Sequence, residues 1–298
     1  MADTGVLAEA PEGEPELTYS HESQSGFRRR LIQALELVLG RPRLERMYHD
    51  WRASGKREAE SVFDGALRFL GVTPEIEGQE VLAAVPATGG VLVVANHPFG
   101  ILDGLTVGHL GLRLRGSAHI LTNSLLCKLP ELEPHLLPVD FAPTPEARRL
   151  TSATRRRAVE LLAAGHCVVI FPAGGIATAN TWLRGRAHDA PWHPFVARLA
   201  TVPGVSVVPL HFPGQNSRLF QIASHLSYSL RVALIFHETR RRLGRPVRAI
   251  LGRPIPAEAL AGQPREAVTA ELRRRCMALS PIPLDPDEVF RWPSHIRW

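Results

Sequence analysis

The stretch VLVVANHPFGILDG, residues 91–104, decides the fold class. Its first five residues form a continuous run of apolar, mostly β-branched side chains, which is typical of a strand buried on both faces of a parallel sheet. The chain then passes through Asn96, His97 and Gly100 before a helix-like stretch begins near Asp103. A buried strand that leads through a polar turn into a helix predicts the first half of a βαβ unit.

Similar apolar runs recur along the chain. We predict further strands at 119–121, 168–171, 205–210, 232–236 and Val247–Leu251, with helices between them at 103–114, 145–164 and 191–200. Strands that alternate with helices predict an α/β fold, in which a largely parallel sheet is flanked by helices. We assign this domain to residues 85–255, after the change in composition near residue 85.

The flanking segments have a different character. Residues 1–24 hold six acidic residues and no Lys or Arg, which predicts a disordered acidic tail. Residues 25–84 predict a small helical N-terminal region, and residues 256–298 a C-terminal helix followed by a Pro-rich tail. The helices in these two segments are expected at 27–39, 43–53, 57–69 and 264–279.

The charge of the chain favours an anionic partner. The formal net charge is +6, and because the first 24 residues are acidic, the rest of the chain carries +12. Nearly all the cations are arginines, whose planar fork suits phosphate and carboxylate, although a GC-rich genome would also replace Lys by Arg. Basic runs at 148–149, 155–157 and 273–275 raise nucleic acid as a partner, but no nucleic-acid module accompanies them, so nucleic acid is not favoured.

Cysteine and histidine usage predicts neither a disulfide framework nor a metal site. The three cysteines are scattered, and the 13 histidines show no ligand spacing, so we expect no metal and a reducing compartment. The N-terminus lacks the features of a secretory signal, and no apolar stretch is long enough to span a bilayer. Any contact with a membrane is therefore expected to be peripheral.

Two interpretations fit the spacing of His97 and Asp103. In the functional one, the carboxylate orients the imidazole, whose other nitrogen takes a proton from a hydroxyl as a general base. In the structural one, His97 belongs to a turn and Asp103 is an acid in the first turn of a helix. Spacing alone slightly favours the structural interpretation.

Two further segments end strands near candidate polar groups. The strand at 168–171 leads into a Pro-Ala-Gly-Gly loop, whose backbone amides can approach an anionic group, and Arg184 and Arg186 follow close enough to hold a phosphate. The strand at 205–210 contains Pro209, which predicts either a sheet edge or a strand end beside a pocket.

Four motifs in order resemble those of the glycerolipid acyltransferase family. The block at 96–103 resembles its Asn-His-x-x-x-x-Asp motif, 137–141 its second block, 171–174 its Phe-Pro-Glu-Gly block and 208–210 its final Val-Pro block. The sequences at 96–100 and 216–220 look more like the bacterial subgroup labelled hemolysins, which is related to the acyltransferases of ornithine lipid synthesis. The resemblance covers residues 85–255.

The resemblance implies an O-acyltransferase of lipid metabolism. It implies that a fatty acyl group moves from a thioester, acyl-CoA or acyl carrier protein, to a hydroxyl of a lyso-lipid, as in phospholipid biosynthesis, with no cofactor besides the donor. His97 would be the base and Asp103 its orienting partner. The substrate-binding residues would be Asn96, Phe99, Gly100, Phe171, Pro172, Gly174, Gly175, Arg184 and Arg186. A non-catalytic lipid-binding or membrane-perturbing protein on the same fold is the alternative.

The sequence departs from the family pattern at three places. Five residues rather than four separate His97 from Asp103, which requires an altered turn that Gly100 could supply. Ala173 replaces the usual Glu of the third block, and Phe141 stands where many members have an Arg that holds the glycerol phosphate. These changes favour a different acceptor head group, such as that of an aminoacyl lipid. The Gly174–Gly175 amides could serve an oxyanion or a phosphate, and the sequence does not distinguish the two.

A lyso-lipid acceptor implies an attachment surface on the cytoplasmic face of the cell membrane. The segment 217–242 is the best candidate, because Leu219, Phe220 and Leu226 recur at helical spacing and cations flank them. The alternative is that these side chains pack on the sheet. The helix expected at 27–39 is a second amphipathic candidate, interpreted first as a cap on the core.

Overall fold

The computed structural model describes residues 17–20, 25–56, 59–123, 129–140 and 144–296. Within them the chain forms an α/β fold, as the sequence predicted. The helices are α1 (Gly26–Leu39), α2 (Arg41–Ala53), α3 (Val62–Phe69), α4 (Ile101–Arg115), α5 (Pro145–Ala163), α6 (Phe195–Ala200), α7 (Arg218–Leu226), α8 (Tyr228–Arg241) and α9 (Arg265–Ala278). The strands are β1 (Pro74–Glu77), β2 (Val91–Ala95), β3 (His119–Asn123), β4 (Leu136–Val139), β5 (Cys167–Ile170), β6 (Thr178–Ala179), β7 (Ala187–His188), β8 (Ser206–His211), β9 (Val247–Leu251) and β10 (Ile255–Pro256).

The main sheet is mostly parallel and has the order β1-β9-β8-β2-β5-β3-β4, with β10 paired to β8. The antiparallel pairs are those of β8 with β9 and with β10. Strand β2 lies in the centre, where Val91 is in register with Cys167 of β5 and Ser206 of β8. The carboxyl ends of these three strands therefore meet at one edge, where α/β folds place their ligands.

Successive side chains of the central strands point alternately into two buried layers. Leu92 and Val94 face the layer of α5, α6 and α9, whereas Val91, Val93 and Ala95 face α3 and α4. All five side chains of β2 are buried, so the strand reads as a continuous apolar run. A third cluster joins α1, α2, α7 and α8.

The segment 232–236, predicted as a strand, belongs to helix α8 instead. The prediction failed because α8 packs against α1, α2, α4 and α7, so its side chains are apolar on several faces. A helix surrounded in this way lacks the polar stripe of a surface helix and shows the same short apolar run as a buried strand. Strands β1 and β4 were not predicted, since both are short and contain proline.

Pro209 lies in an interior strand and not at an edge of the sheet. The partner of β8 on one side changes at this point, from β10 at Val207 to β9 at Leu210. The chain leaves the ladder between these pairs, and Gly252 N–H donates to Pro209 O at 2.8 Å. On the other side Pro209 stays in register with Val94 of β2, so the break is confined to the β9/β10 side, where a residue without an N–H is tolerated.

Residues 17–20 depart from the predicted disordered tail, of which the remainder lies outside the described residues. Thr18, Tyr19 and Ser20 are buried against α1. Glu36 accepts hydrogen bonds from Thr18 Oγ1 at 2.6 Å and from the Tyr19 N–H at 2.8 Å. The composition of the tail could not show these contacts, because the partners, among them the buried carboxylate of Glu36, lie elsewhere in the chain.

Candidate active site

The turn between β2 and α4 is built around the buried carboxylate of Asp103. Its Oδ2 accepts the backbone N–H groups of Phe99 at 2.8 Å and Gly100 at 3.0 Å. Gly100 has φ +79° and ψ −112°, a conformation that residues with a side chain rarely adopt. A Cβ added to Gly100 would also lie 2.8 Å from Ile176 Cδ1. This turn accommodates the fifth residue between His97 and Asp103.

His97 is held beside that carboxylate at the carboxyl end of β2. Its Nδ1 lies 3.0 Å from Asp103 Oδ2, but the ring is not aligned for a hydrogen bond with a described residue, and Asp103 Oδ1 accepts none. The imidazole stacks on the Phe171 ring, with the centroids 4.1 Å apart. Asp103 is therefore the first-turn acid of α4, as the structural interpretation predicts, and its Oδ2 also lies close to the imidazole.

The backbone of His97 is fixed by residues from other parts of the chain. The His97 N–H donates to Asp189 Oδ1 at 3.2 Å, and the His97 carbonyl accepts from the Ala177 N–H at 2.7 Å. Asp189 also accepts from Trp192 Nε1 at 2.9 Å, and burial raises the pKa of its carboxyl. Asn96 is joined to the Phe212 backbone in both directions, which ties the end of β2 to the end of β8.

A largely apolar cavity of about 420 Å³ opens in front of His97. One part lies between α3, α4, β3 and β4 and is lined by Phe63, Leu105, Ile120, Leu132 and Leu136. The other part lies under residues 17–19 and is lined from α8 by Tyr228, Val232, Ile235 and Phe236. An apolar cavity of this size with few polar groups is suited to a hydrocarbon chain.

Some of the predicted site residues line the cavity, and others hold the turn behind it. Those that line the cavity are His97, Gly100, Phe171, Pro172, Gly174 and Gly175. Asn96, Phe99 and Asp103 lie behind them and hold the turn, with the Phe99 ring 3.6 Å from the Arg242 guanidinium. Arg242, the last residue of the segment 217–242 that the sequence favours for attachment, is partly buried by this contact.

Arg184 and Arg186 are not among the described residues that line the cavity, which differs from the prediction. Both lie on the segment between β6 and β7, and Arg186 Nη1 donates to Pro283 O at 2.9 Å. Arg186 lines a separate pocket of about 100 Å³ behind the strand ends. Closeness in sequence to the Gly-Gly loop was misleading, because the β6–β7 hairpin carries the two arginines away from it.

The Gly-Gly loop has polar neighbours that the sequence did not single out. Arg155 and His193 line the cavity beside this loop, with Nη2 and Nε2 3.4 Å apart. The Gly174 N–H donates to Phe171 O at 2.9 Å, whereas no described residue accepts the Gly175 N–H. Arg155 belongs to a basic run that looks like a solvated helix face, so only its position in the fold distinguishes it.

The comparisons with known proteins agree with the motifs. The model of the acyltransferase family matches residues 50–268, which is more than half of the chain. The chain belongs to this family. The resemblance to the glycerolipid acyltransferases is thereby confirmed.

Two curated relatives of this acyltransferase carry the same name. A lyso-glycine lipid O-acyltransferase of Phocaeicola vulgatus is 28% identical over 204 residues, which cover 65% of this chain and 68% of the relative. A lyso-glycine lipid O-acyltransferase of Bacteroides thetaiotaomicron is 26% identical over 204 residues, covering 65% and 70%.

A second departure from the family pattern lies in the wall of the cavity. Ala173 of this acyltransferase lines the cavity, where the usual Glu would add a charge, and Phe141 lies outside the described residues.

None of the described helices combines the length and the apolar character needed to cross a bilayer. The described part of the chain also brings no three His, Cys, Asp or Glu side chains together in a metal-binding group.

Proposed function

We propose that this acyltransferase moves a fatty acyl group from a thioester donor to a hydroxyl of a lyso-lipid, with His97 as general base. The observation that carries the proposal is the position of His97, whose Nδ1 lies 3.0 Å from a buried carboxylate while the ring lines an apolar cavity. Asp103 orients the imidazole and stabilises its charged form, so the other nitrogen can accept a proton. The names of the relatives support a lyso-lipid acceptor.

The reaction needs no covalent enzyme intermediate. The acceptor oxygen attacks the thioester carbonyl, and His97 takes the hydroxyl proton as the new C–O bond forms. The C–S bond then breaks, and the thiolate leaves with the proton that His97 returns. The Gly175 N–H, which no described residue accepts, is the loop amide available to the oxyanion, since the Gly174 N–H is bonded to Phe171 O.

The polar groups beside the Gly-Gly loop are suited to binding the acyl donor. Acyl-CoA and acyl carrier protein both carry phosphate near the thioester arm, and Arg155 lies at the cavity next to Pro172 and the glycines. The Arg155 guanidinium stacks over the Phe195 ring at 5.0 Å, which holds its fork in place. Arg155 thus takes the role that the sequence assigned to Arg184 and Arg186.

The test compares two histidines that each contact an aspartate. Acyl transfer from a thioester to lyso-lipids is measured for the native protein, His97→Ala and His109→Ala. His109 is a matched control, because its Nδ1 lies 2.5 Å from Asp64 Oδ1 and the pair does not line the cavity. Loss of a general base should lower kcat by about 10²- to 10⁴-fold in His97→Ala. Equal rates in His97→Ala and the native protein would overturn the mechanism.

We also propose that α1 holds the enzyme at a membrane surface. Phe27 and Val38 are 82% and 79% exposed, and Leu31 lies on the same face of the helix between them. Arg29 and Arg30 are exposed next to this stripe, as in helices that lie in an anionic interface. Arg28, at the start of α1, lies over the ring of Tyr228, which lines the cavity. A lipid leaving the surface at α1 would therefore be close to the cavity.

The helix that the sequence favoured for attachment carries less exposed apolar surface. In α7, Phe220 and Ala223 are buried in the fold, and only Leu219 and Leu226 are about half exposed. Flotation with anionic vesicles at low salt separates the two surfaces. We expect Phe27→Ser with Val38→Ser to lose vesicle binding and Leu219→Ser with Leu226→Ser to keep it. The reverse result would assign attachment to α7, and a native protein that never floats would exclude both surfaces.

A further inference from the structure

Arg231 is a buried cation that the proposed reaction does not yet use. It lies on α8, is 4% exposed and lines the cavity. Its guanidinium lies between two aromatic rings, 4.9 Å from the centroid of Phe220 and 4.8 Å from that of Trp292. Aromatic faces on both sides hold the plane of the guanidinium in one orientation.

The protein partners of Arg231 are all neutral. Nη1 donates to Thr178 Oγ1 and Ser224 Oγ, both at 2.6 Å, and Nη2 donates to Ile176 O. No carboxylate of a described residue forms an ion pair with it. Burial lowers the pKa of Arg231 to about 9, so the side chain is still charged at neutral pH. A buried charge without a counter-charge is costly, and proteins usually pair it.

The guanidinium retains hydrogen-bonding capacity. Three of its five N–H groups are used by the partners above, which leaves Nε–H and one Nη2–H without an acceptor among the described residues. Arg273, which is buried to a similar extent, also makes three hydrogen bonds, but its Nε is among the donors, so its side-on fork is not free. Nε and Nη2 lie on the side of a guanidinium that can bind a carboxylate through two parallel hydrogen bonds.

Arg231 and His97 are joined through two consecutive residues. Arg231 donates to the carbonyl of Ile176, and the N–H of the next residue, Ala177, donates to the His97 carbonyl at 2.7 Å. Both side chains also line the same cavity. An anion held by Arg231 would therefore lie in the same cavity as the base.

We propose that Arg231 binds a free carboxylate on the acceptor, so that the acceptor is a lyso-lipid with an amino-acid head group. This assignment rests on the proposed function. The carboxylate supplies the missing counter-charge and occupies the free fork, while the acyl chain of the same molecule fills the apolar part of the cavity. The acceptor hydroxyl is thereby placed towards His97. Arg231 acts here as a specificity-determining residue and takes no part in proton transfer.

The test compares an N-acyl amino-acid lyso-lipid with its methyl ester, which has the same shape and no charge. Hydrogen bonds to charged groups contribute about 1.5–3 kcal/mol, so the native enzyme should prefer the acid by about 10- to 150-fold in kcat/KM. Arg231→Gln should reduce that preference to near one, and Arg231→Lys should keep part of it. The control is Arg115→Gln, because Arg115 likewise donates only to neutral groups, in its case backbone carbonyls, and does not line the cavity. Arg115→Gln should keep the full preference.

The possible outcomes separate this assignment from the proposed function. If the native enzyme acylates acid and ester equally, or if Arg231→Gln keeps the preference, the assignment is wrong and the acyltransfer proposal stands. A lyso-lipid with a phosphate head group that is used better than the acid would also overturn it. If the native enzyme acylates none of them, both proposals fail. Should Arg231→Gln not fold, the Kd values of acid and ester for His97→Ala, which retains Arg231, give the preference without turnover.

Discussion

Replacing Asp103 separates its two roles, because the carboxylate serves the backbone and His97 at once. Asp103→Ala leaves the N–H groups of Phe99 and Gly100 buried without an acceptor. Each such group costs about 1–3 kcal/mol, so we expect the free energy of unfolding to fall by about 2–6 kcal/mol. In Asp103→Asn the amide oxygen can still accept from the turn, and most of that stability should remain.

The difference that we expect between these two variants in stability should not appear in their activity. Asparagine keeps an oxygen near His97 but cannot stabilise the imidazolium, so kcat should fall by about 10²- to 10⁴-fold in Asp103→Asn. Unfolding in urea and acyl transfer to a lyso-lipid measure the two effects separately. Asp64→Asn is the control, because Asp64 lies in the first turn of α3 and contacts His109. A stable Asp103→Asn enzyme with the native kcat would show that Asp103 only caps the helix.

Three further predictions test the turn, the buried histidine and the packed N-terminal segment. Gly100→Ala should lose about 1–3 kcal/mol and most activity, while Gly165→Ala, with φ +90° and open space around it, should be strained but active; equal activity in both variants would contradict this. Burial lowers the pKa of His211 to about 4, below its unfolded value near 6.5, so only the unfolded chain gains the proton as pH falls through this range. Between pH 7 and pH 4, the free energy of unfolding of the native protein should thus fall by about 3 kcal/mol more than that of His211→Gln, as measured by urea titration. If the two proteins lose stability in parallel, this prediction is wrong. Glu36→Ala removes the acceptor of residues 17–20, which line the cavity in part, so it should lower the melting temperature and raise KM for long-chain donors; an unchanged KM would show that the segment plays no part in binding.

The local sequence pattern was sufficient to predict those elements whose structure depends mainly on residues adjacent in the chain. Strand β2 and the turn after it were predicted within the bounds seen, because five consecutive apolar residues and a glycine at a strand end have few alternative structures. The helix bounds predicted at 145–164 and 264–279 were also close to α5 and α9. The run at 232–236 was misassigned because an apolar run carries no period, and only its neighbours show that it is helical.

By itself, the sequence predicted the α/β class, and its resemblance to a family singled out His97 and Asp103, since strand ends, glycine turns and motif order are encoded locally. Tertiary structure decided which arginines line the cavity. Arg184 and Arg186 follow the glycine loop in sequence but lie away from the cavity, whereas Arg155 and Arg231 come from distant helices and line it. The physical reason is that the role of a cation depends on its burial and on the acceptors and counter-charges around it. Both arise from contacts between residues far apart in the chain.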